Sequence, residues 1–441
     1  MTMTIPELRS SAKAIWESAL EAARPARCIR DAVRRSPDGF VVCGSEVRVE
    51  GRLIVIGAGK AGASMAQAIE GLLGVRISEG LVITKYGHRL PTGKIQIVEA
   101  GHPVPDENGE RAVGRLRGML DGVSSRDVVL CLISGGGSAL LPCPAPGVTL
   151  AEKRAVTSLL LGAGATIREL NAVRKHLSGL KGGQLAQWAA PARVVSLIIS
   201  DVIGDPLDFI ASGPTAPDTS TFPDALDVLE KYDLEAPAGV YRRLEAGARG
   251  EIPETPKEGD PVFARVGNYV IANNRLMVDA SAHRARELGF NTIVLSSGIE
   301  GESGDIGRLF AAVGREISSS GNPIGAPACV LAAGETTVDV RGPGRGGRNL
   351  EMALAWALGM QGWNHPACFA SIASDGTDGP TDAAGGLVDP TTCRRGRDSS
   401  LDAARHLRMN DSLPFLDAVG DAVRTGPTYT NLMDLQILLV G

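Results

Sequence analysis

The sequence predicts a two-domain α/β protein, and three observations carry that prediction. At 441 residues the chain is longer than one hydrophobic core of ordinary size accommodates. Short apolar runs rich in β-branched residues alternate with stretches of helical periodicity, the order that builds parallel sheets. A proline-rich, charged stretch, EIPETPKEGDP at 251–261, interrupts the alternation and reads as a connector between a domain at 1–255 and another at 256–441.

Composition narrows the function classes. Hydrophobic residues make up 44% and charged ones 22%, a globular balance, while 55 glycines and 4% aromatics point to tight turns and backbone-lined sites. A formal charge of −5 with dispersed Lys and Arg argues against a nucleic-acid partner, so an anionic ligand needs local positive charge. The seven cysteines form no close pair and no metal spacing and read as reduced thiols. No signal-peptide pattern opens the chain and no apolar run reaches the roughly 20 residues that span a bilayer. A cytoplasmic protein without a membrane partner is the expectation.

Taken in order, residues 7–24 carry Leu8, Ala12, Ile15, Trp16, Ala19 and Ala23 at helical spacing and read as an amphipathic helix packed on the first domain. Leu53–Ala68, LIVIGAGKAGASMAQA, reads as a strand, a glycine turn and a helix start. Gly57, Gly59 and Gly62 fit a dinucleotide fingerprint, but Lys60 sits inside the turn and no carboxylate follows the second strand, 81–84. A phosphate cradle with its own lysine is the preferred reading; a tight turn with a solvated lysine is the other. Further strands are expected at 95–98 and 128–133, with a helix at about 106–121. His88 and His102 lie in loops after strands, where they either meet a ligand or serve as turn residues.

Strand 128–133 ends in SGGGSALL. Ser134, Gly135, Gly136, Gly137 and Ser138 have the composition of a nest, in which successive N–H groups converge on an anion. Ser138 as a hydrolase nucleophile fails, because GxSxG lacks both glycines. In NAVRKHLSGLKGG, Arg174, Lys175, His176 and Lys181 gather positive charge, suited equally to an anion or to a solvated helix face. Strand 194–199 is followed by Asp201, Asp205 and Asp208, placed to hold Mg²⁺, to take a proton or to cap helices. The second domain alternates again. Its chemistry falls on Arg341, Arg345 and Arg348, set on glycines before a helix, and on Asp375, Asp378 and Asp382 in SDGTDGPTDAAGG, a loop suited to Mg²⁺ or water-mediated nucleotide contacts.

The blocks GAGKA, TKYGH, EAGHPVPD, CLISGGGSALL, NAVRKHLSGLKGG, SDVIGDPLDFIASGPT, ETPKEGDPVFARV, GETTV, GRGGRNLE, DGTDGPTDAAG and GPTYTN, in this order, resemble the type 2 glycerate kinases, some of which carry the name hydroxypyruvate reductase. The resemblance covers nearly the whole chain. It implies a doubly wound, Rossmann-like first domain, a smaller C-terminal MOFRL-type α/β domain, and an active site in the cleft between them. It also implies ATP and Mg²⁺ as cosubstrates and D-glycerate as the acceptor at its 2-hydroxyl, with a homodimer as a compatible assembly. Carried over residue by residue, it makes Lys60, Arg348 and Asp201 the catalytic candidates. Gly59, Ser134 to Ser138, Arg174, Lys181, Glu335 and Arg345 become candidates for substrate and phosphate, and Asp201, Asp205, Asp375 and Asp378 for metal. Leu350 replaces an expected glutamine, the aspartate loop is short, and Tyr429 replaces an expected glycine. An NAD(P)H-dependent reductase and a non-catalytic organic-acid sensor are the competing readings.

Overall fold

Leu53–Ala58 is buried at every position, as a central strand of a sheet covered on both faces must be. In a computed structural model that describes residues 3–441, the chain forms two units. One is Pro25–Ile271, and the other joins the N-terminal segment, up to Arg24, to Ala272–Gly441.

The first unit opens with an antiparallel ribbon, β1 (Val33–Ser36), β2 (Gly39–Val42) and β3 (Ser45–Arg48). Its main sheet contains β4 (Leu53–Ala58), β5 (Ile77–Lys85), β6 (Ile95–Ala100), β7 (Val128–Ser134), β8 (Arg193–Ile199) and β9 (Val266–Ala272) in the order β6-β5-β4-β7-β8-β9. The pairs among β6, β5, β4, β7 and β8 are all parallel. The chain therefore winds outward from β4 in one direction and then, from β7, in the other, which is the doubly wound arrangement. Ligands in such sheets sit at the carboxyl ends of the two strands where the order reverses. Here those ends are Ala58 and Ser134, and they open the two glycine-rich stretches. A helical layer completes the unit: Thr149, Thr166 and Thr221 each cap a helix through a reciprocal box with Glu152, Glu169 and Asp224.

β9 follows the proline-rich connector yet joins this first sheet, and the two units part between Ile271 and Ala272. The connector is tied down, which removes its freedom as a linker. Asp218 N–H donates to Pro256 O at 2.9 Å, and Glu254 Oε1 lies 2.7 Å from His176 Nε2.

The second unit is built on β10 (Asn291–Ile299), β11 (Ala328–Gly334), β12 (Ala367–Ala373), β13 (Gly385–Val388), β14 (Ala422–Val423) and β15 (Asp434–Val440), ordered β10-β11-β15-β12-β13-β14. β10 and β11 are parallel, and β15 runs antiparallel between β11 and β12. The register sets Asp434 opposite both Gly334 and Ala373, so the start of β15 meets the carboxyl ends of two strands. The helix Ile5–Ala22 also belongs here. It packs on the helix Asn274–Glu287 and on β12 and β15, which corrects the expectation that it covers the first domain. Leu8, Ala12, Ile15, Trp16 and Ala19 are its buried stripe, as the periodicity predicts. What periodicity does not contain is the partner, fixed here by Arg9, which pairs with the buried Asp389 and Asp421 at 2.7 and 2.9 Å. No helix among the described residues is long and apolar enough to cross a membrane.

Candidate active site

At the switch point of the first unit the two glycine stretches are bonded into one structure. Lys60 N–H donates to Gly135 O at 2.8 Å, and Ala61 N–H donates to Ser134 Oγ at 3.1 Å. Gly59 has φ 145°, and a Cβ there would stand 2.0 Å from Ser134 Oγ, so only glycine lets β4 and β7 turn this closely together. Ser134 is fully buried; its hydroxyl joins the two loops. Gly136 has φ 83°, and a Cβ on it would meet the His102 ring at 2.9 Å and Lys60 Cγ at 3.4 Å. His102 and the Lys60 stem thus flank the nest. From Gly137 the chain enters a four-residue helix, Gly137–Leu140, whose first N–H groups have no intrahelical acceptor.

The loop after β8 lies beside this nest, since Ser134 is in register with Ile199. Asp201, Asp205 and Asp208 are partly buried in it. Asp208 lies 3.2 Å from Lys175 Nζ, which also pairs with the buried Asp218 at 3.0 Å. Ala211 and Ser212, at φ 50° and 61°, are left-handed, a state that costs about 1–2 kcal/mol for a residue other than glycine. Ala211 packs over the nest, and a Cβ on Gly137 would touch it at 2.8 Å.

Arg174 and Lys181, expected among the phosphate ligands, stand differently. Lys181 is 1% exposed and donates to Leu141 O at 2.8 Å. Burial pulls its pKa well down. It braces the far end of the nest helix from the protein interior. Arg174 is partly buried on the helix Ile167–His176, with no ion pair to a carboxylate among the described residues. His176 is closed off by Ala172 O and Glu254, and hydrogen bonds from His176 and two backbone N–H groups hold the Glu254 carboxyl, against its burial, down at about 2. His88 is buried near Tyr86 O.

The second unit gathers its own charged group at the register point of β11, β15 and β12. Arg348 is the first residue of the helix Arg348–Gly359. Its Nε and Nη2 meet Asp434 Oδ2 and Oδ1 at 2.5 and 3.0 Å, and Nη1 meets Glu335 Oε1 at 2.7 Å. Burial works against the charge, but Asp434 and Glu335 outweigh it and the guanidinium is held charged more firmly than usual. Three of its five N–H bonds are used, so two stay directed elsewhere. The aspartate loop divides its roles. Asp375 Oδ1 accepts from Thr377 N–H at 2.9 Å in a local turn. Asp378 accepts from Asn349 and Leu350 N–H at 3.1 and 2.8 Å and caps the Arg348 helix from a distant loop. Burial pushes its carboxyl up to about 7 against those donors. Asp382 pairs with Arg424 at 3.0 Å. Asp378 thereby meets the need of a helix start, where four N–H groups lack intrahelical acceptors. Arg345 is exposed, with its backbone N–H on Asp411, and Arg341 pairs with Asp339.

Among the described residues, no three His, Cys, Asp or Glu side chains stand together in a metal-holding group. Sequence reasoning assigned no role to Asp434, Asn171 or Ser212, although Asn171 opens the NAVRKHLSGLKGG block and Ser212 lies in SDVIGDPLDFIASGPT. It did flag Leu350 and Tyr429. Leu350 is fully buried in the core of the second unit, so that departure alters packing. Tyr429 has φ 60°, in the left-handed region that favours the glycine expected at this place.

The chain matches the model of a domain of unknown function, DUF4147, over residues 11–245, and the MOFRL family over 328–434. It is 40% identical to the glycerate 2-kinase of Pyrococcus horikoshii across 99% of this chain and 98% of that protein. It is 43% identical to the D-glycerate 2-kinase of Thermotoga maritima across 88% and 91%. The crystal structure of glycerate kinase from Thermotoga maritima superposes with a TM-score of 0.87 at 40% identity, covering 99% of this chain and 100% of that one. With relatives of this similarity over its full length, the chain belongs to the glycerate 2-kinase family of phosphotransferases.

Proposed function

We propose that this chain transfers the terminal phosphoryl group of ATP to the 2-hydroxyl of D-glycerate, with Mg²⁺, to give 2-phosphoglycerate. The observation that carries the reading is the cradle at the switch point of the first sheet, where Lys60 and the nest are bonded together through Gly135 O and Ser134 Oγ. Phosphoryl transfer asks a protein mainly for positioning and for neutralisation of charge on the transferred group. Lys60 supplies an ammonium at the cradle. Arg348, locked on Asp434, supplies two N–H donors of fixed direction for the glycerate carboxylate or the same phosphoryl group. Asp201 accepts the hydroxyl proton or orients Mg²⁺. The donor chemistry fits that ion: Asp201 and Asp205 are partly buried carboxylates beside the cradle, and Mg²⁺ commonly binds one or two carboxylates together with substrate phosphates. When bound, the ion would neutralise charge on the phosphates. Asp375 would contribute through water.

A coupled ADP assay with MgATP and D-glycerate, run beside hydroxypyruvate with NADH and NADPH, tests the proposal. ADP release that requires glycerate supports it, and nicotinamide oxidation without ADP release overturns it. Lys60→Ala is expected to lower kcat at least ~100-fold, whereas wild-type turnover with only a raised KM would remove Lys60 from the transition state. Arg348→Ala is expected to behave likewise, with the double variant losing less than the product of the two effects because both act on one step.

A further inference from the structure

The loop after β8 brings a second hydroxyl to the nest. Ser212 Oγ is in hydrogen-bond contact with Ser138 Oγ, and 2.8 Å away lies the side-chain amide of Asn171, on the helix Ile167–His176. Ser138 is partly open, whereas Ser212 is fully buried and Asn171 is 1% exposed. The two consecutive left-handed residues Ala211 and Ser212 hold the contact, and backbone strain of this sort clusters at functional sites.

Each hydroxyl has one proton to give, so this chain of side chains has a direction. If Asn171 turns Oδ1 toward Ser212, the Ser212 proton goes to Asn171 and the Ser138 proton goes to Ser212. Asn171 Nδ2 is then buried without an acceptor among the described residues. Orphaned buried N–H groups are rarer than under-satisfied carbonyl oxygens, and a side-chain amide keeps its shape when its two ends exchange. With the ends exchanged, Nδ2 donates to Ser212, Ser212 donates to Ser138, and the Ser138 proton is released for the nest. We infer that Asn171 is a positioning residue that acts through Ser212 to aim the Ser138 hydroxyl proton at an anionic oxygen, phosphoryl or carboxylate, bound at the nest. This rests on reading the nest as an anion site.

Calorimetric titrations with MgADP and with D-glycerate test it. Ser138→Ala is expected to weaken one of the two by about tenfold, the value of one charge-assisted hydrogen bond. Asn171→Asp keeps the size of the side chain but only accepts, so it draws the chain toward itself and weakens the same ligand by a similar factor. In a Ser138→Ala background Asn171→Asp adds nothing. Ser212→Ala cuts the chain and lets Ser138 turn on its own, so it restores binding to Asn171→Asp. A loss that persists in the Ser212→Ala background, as from charge or misfolding, overturns the relay. In the wild type, the Asn171 side-chain amide protons exchange slowly by NMR and faster in Ser212→Ala; fast exchange in both overturns it without recourse to the Asp variant. If Ser138→Ala leaves both ligands unchanged, the nest itself is not the anion site. If Ser138→Ala weakens binding and Asn171→Asp does not, only the relay falls.

Discussion

Asp434→Asn separates the scaffold of the second unit from its chemistry. Asp434 is fully buried and holds Arg348 side-on through bonds of 2.5 and 3.0 Å. At about 4 Å between charges and an effective dielectric near 20, the attraction is about 4 kcal/mol. Much of it offsets the desolvation of the carboxylate. Removing one partner of a buried pair nonetheless costs about 3–5 kcal/mol, because the other charge stays behind. Arg348 is 30% exposed and keeps Glu335, so the lower end, about 3 kcal/mol, is expected. Asparagine leaves one acceptor for the guanidinium and points its amide nitrogen at another donor, which lets Arg348 swing. A misplacement of about 1 Å costs about 100-fold in turnover. Urea denaturation reports the first effect and the ADP assay the second. Arg348→Lys makes the converse test: an ammonium pairs with Asp434 but cannot also present a fixed fork, so kcat falls further than stability does. An Asp434→Asn protein with both wild-type stability and wild-type kcat would refute the view that this ion pair aims Arg348.

Three other outcomes follow from the same geometry. Tyr429→Gly removes a left-handed strain of about 1–2 kcal/mol and gives back about 0.5–1 kcal/mol in unfolded-state entropy, so a thermal melt is expected to rise by up to about 3 °C; a fall would show that the tyrosine side chain outweighs its backbone. Asp378 has a folded pKa of about 7 against about 3.9 unfolded. Its contribution to stability is therefore fully present below about pH 4 and lost as pH rises through 7, on the order of 4 kcal/mol. Asp378→Asn should flatten that part of the pH–stability curve, and an unchanged slope between pH 4 and 7 would contradict it. Arg9→Met breaks two pairs to buried carboxylates that Arg395 also serves, costing about 2–3 kcal/mol. Hydrogen exchange should rise in β12 and β15 while β4 and β7 stay protected.

The alternation of strands and helices, both glycine stretches and the charged tail of the Arg348 loop are legible in the sequence because each is a local pattern. Lys60 and Ser134 to Ser138 stand near one another because both loops leave strands at the point where the winding order reverses, and that order follows from βαβ geometry. Partners brought in from elsewhere are a different matter. Asp434 follows a tyrosine-bearing turn and opens an apolar strand, and nothing near it names an arginine 86 residues earlier. Only the insertion of β15 between β11 and β12 sets it there. The aspartates show why residue type alone leaves the role open. Asp375, Asp378 and Asp382 share one loop, yet one closes a turn, one caps a distant helix and one pairs at the surface. Their roles are decided by which donors the fold delivers to each. The same holds for the basic cluster, where Lys181 donates to Leu141 O inside the protein and Lys175 to Asp218. Charge density in a sequence counts cations; it does not say which of them the interior needs to hold a loop in place. In this chain several of the basic residues nearest the nest are of that kind, which leaves Lys60 as the ammonium whose stem lies against the nest itself, over Gly136.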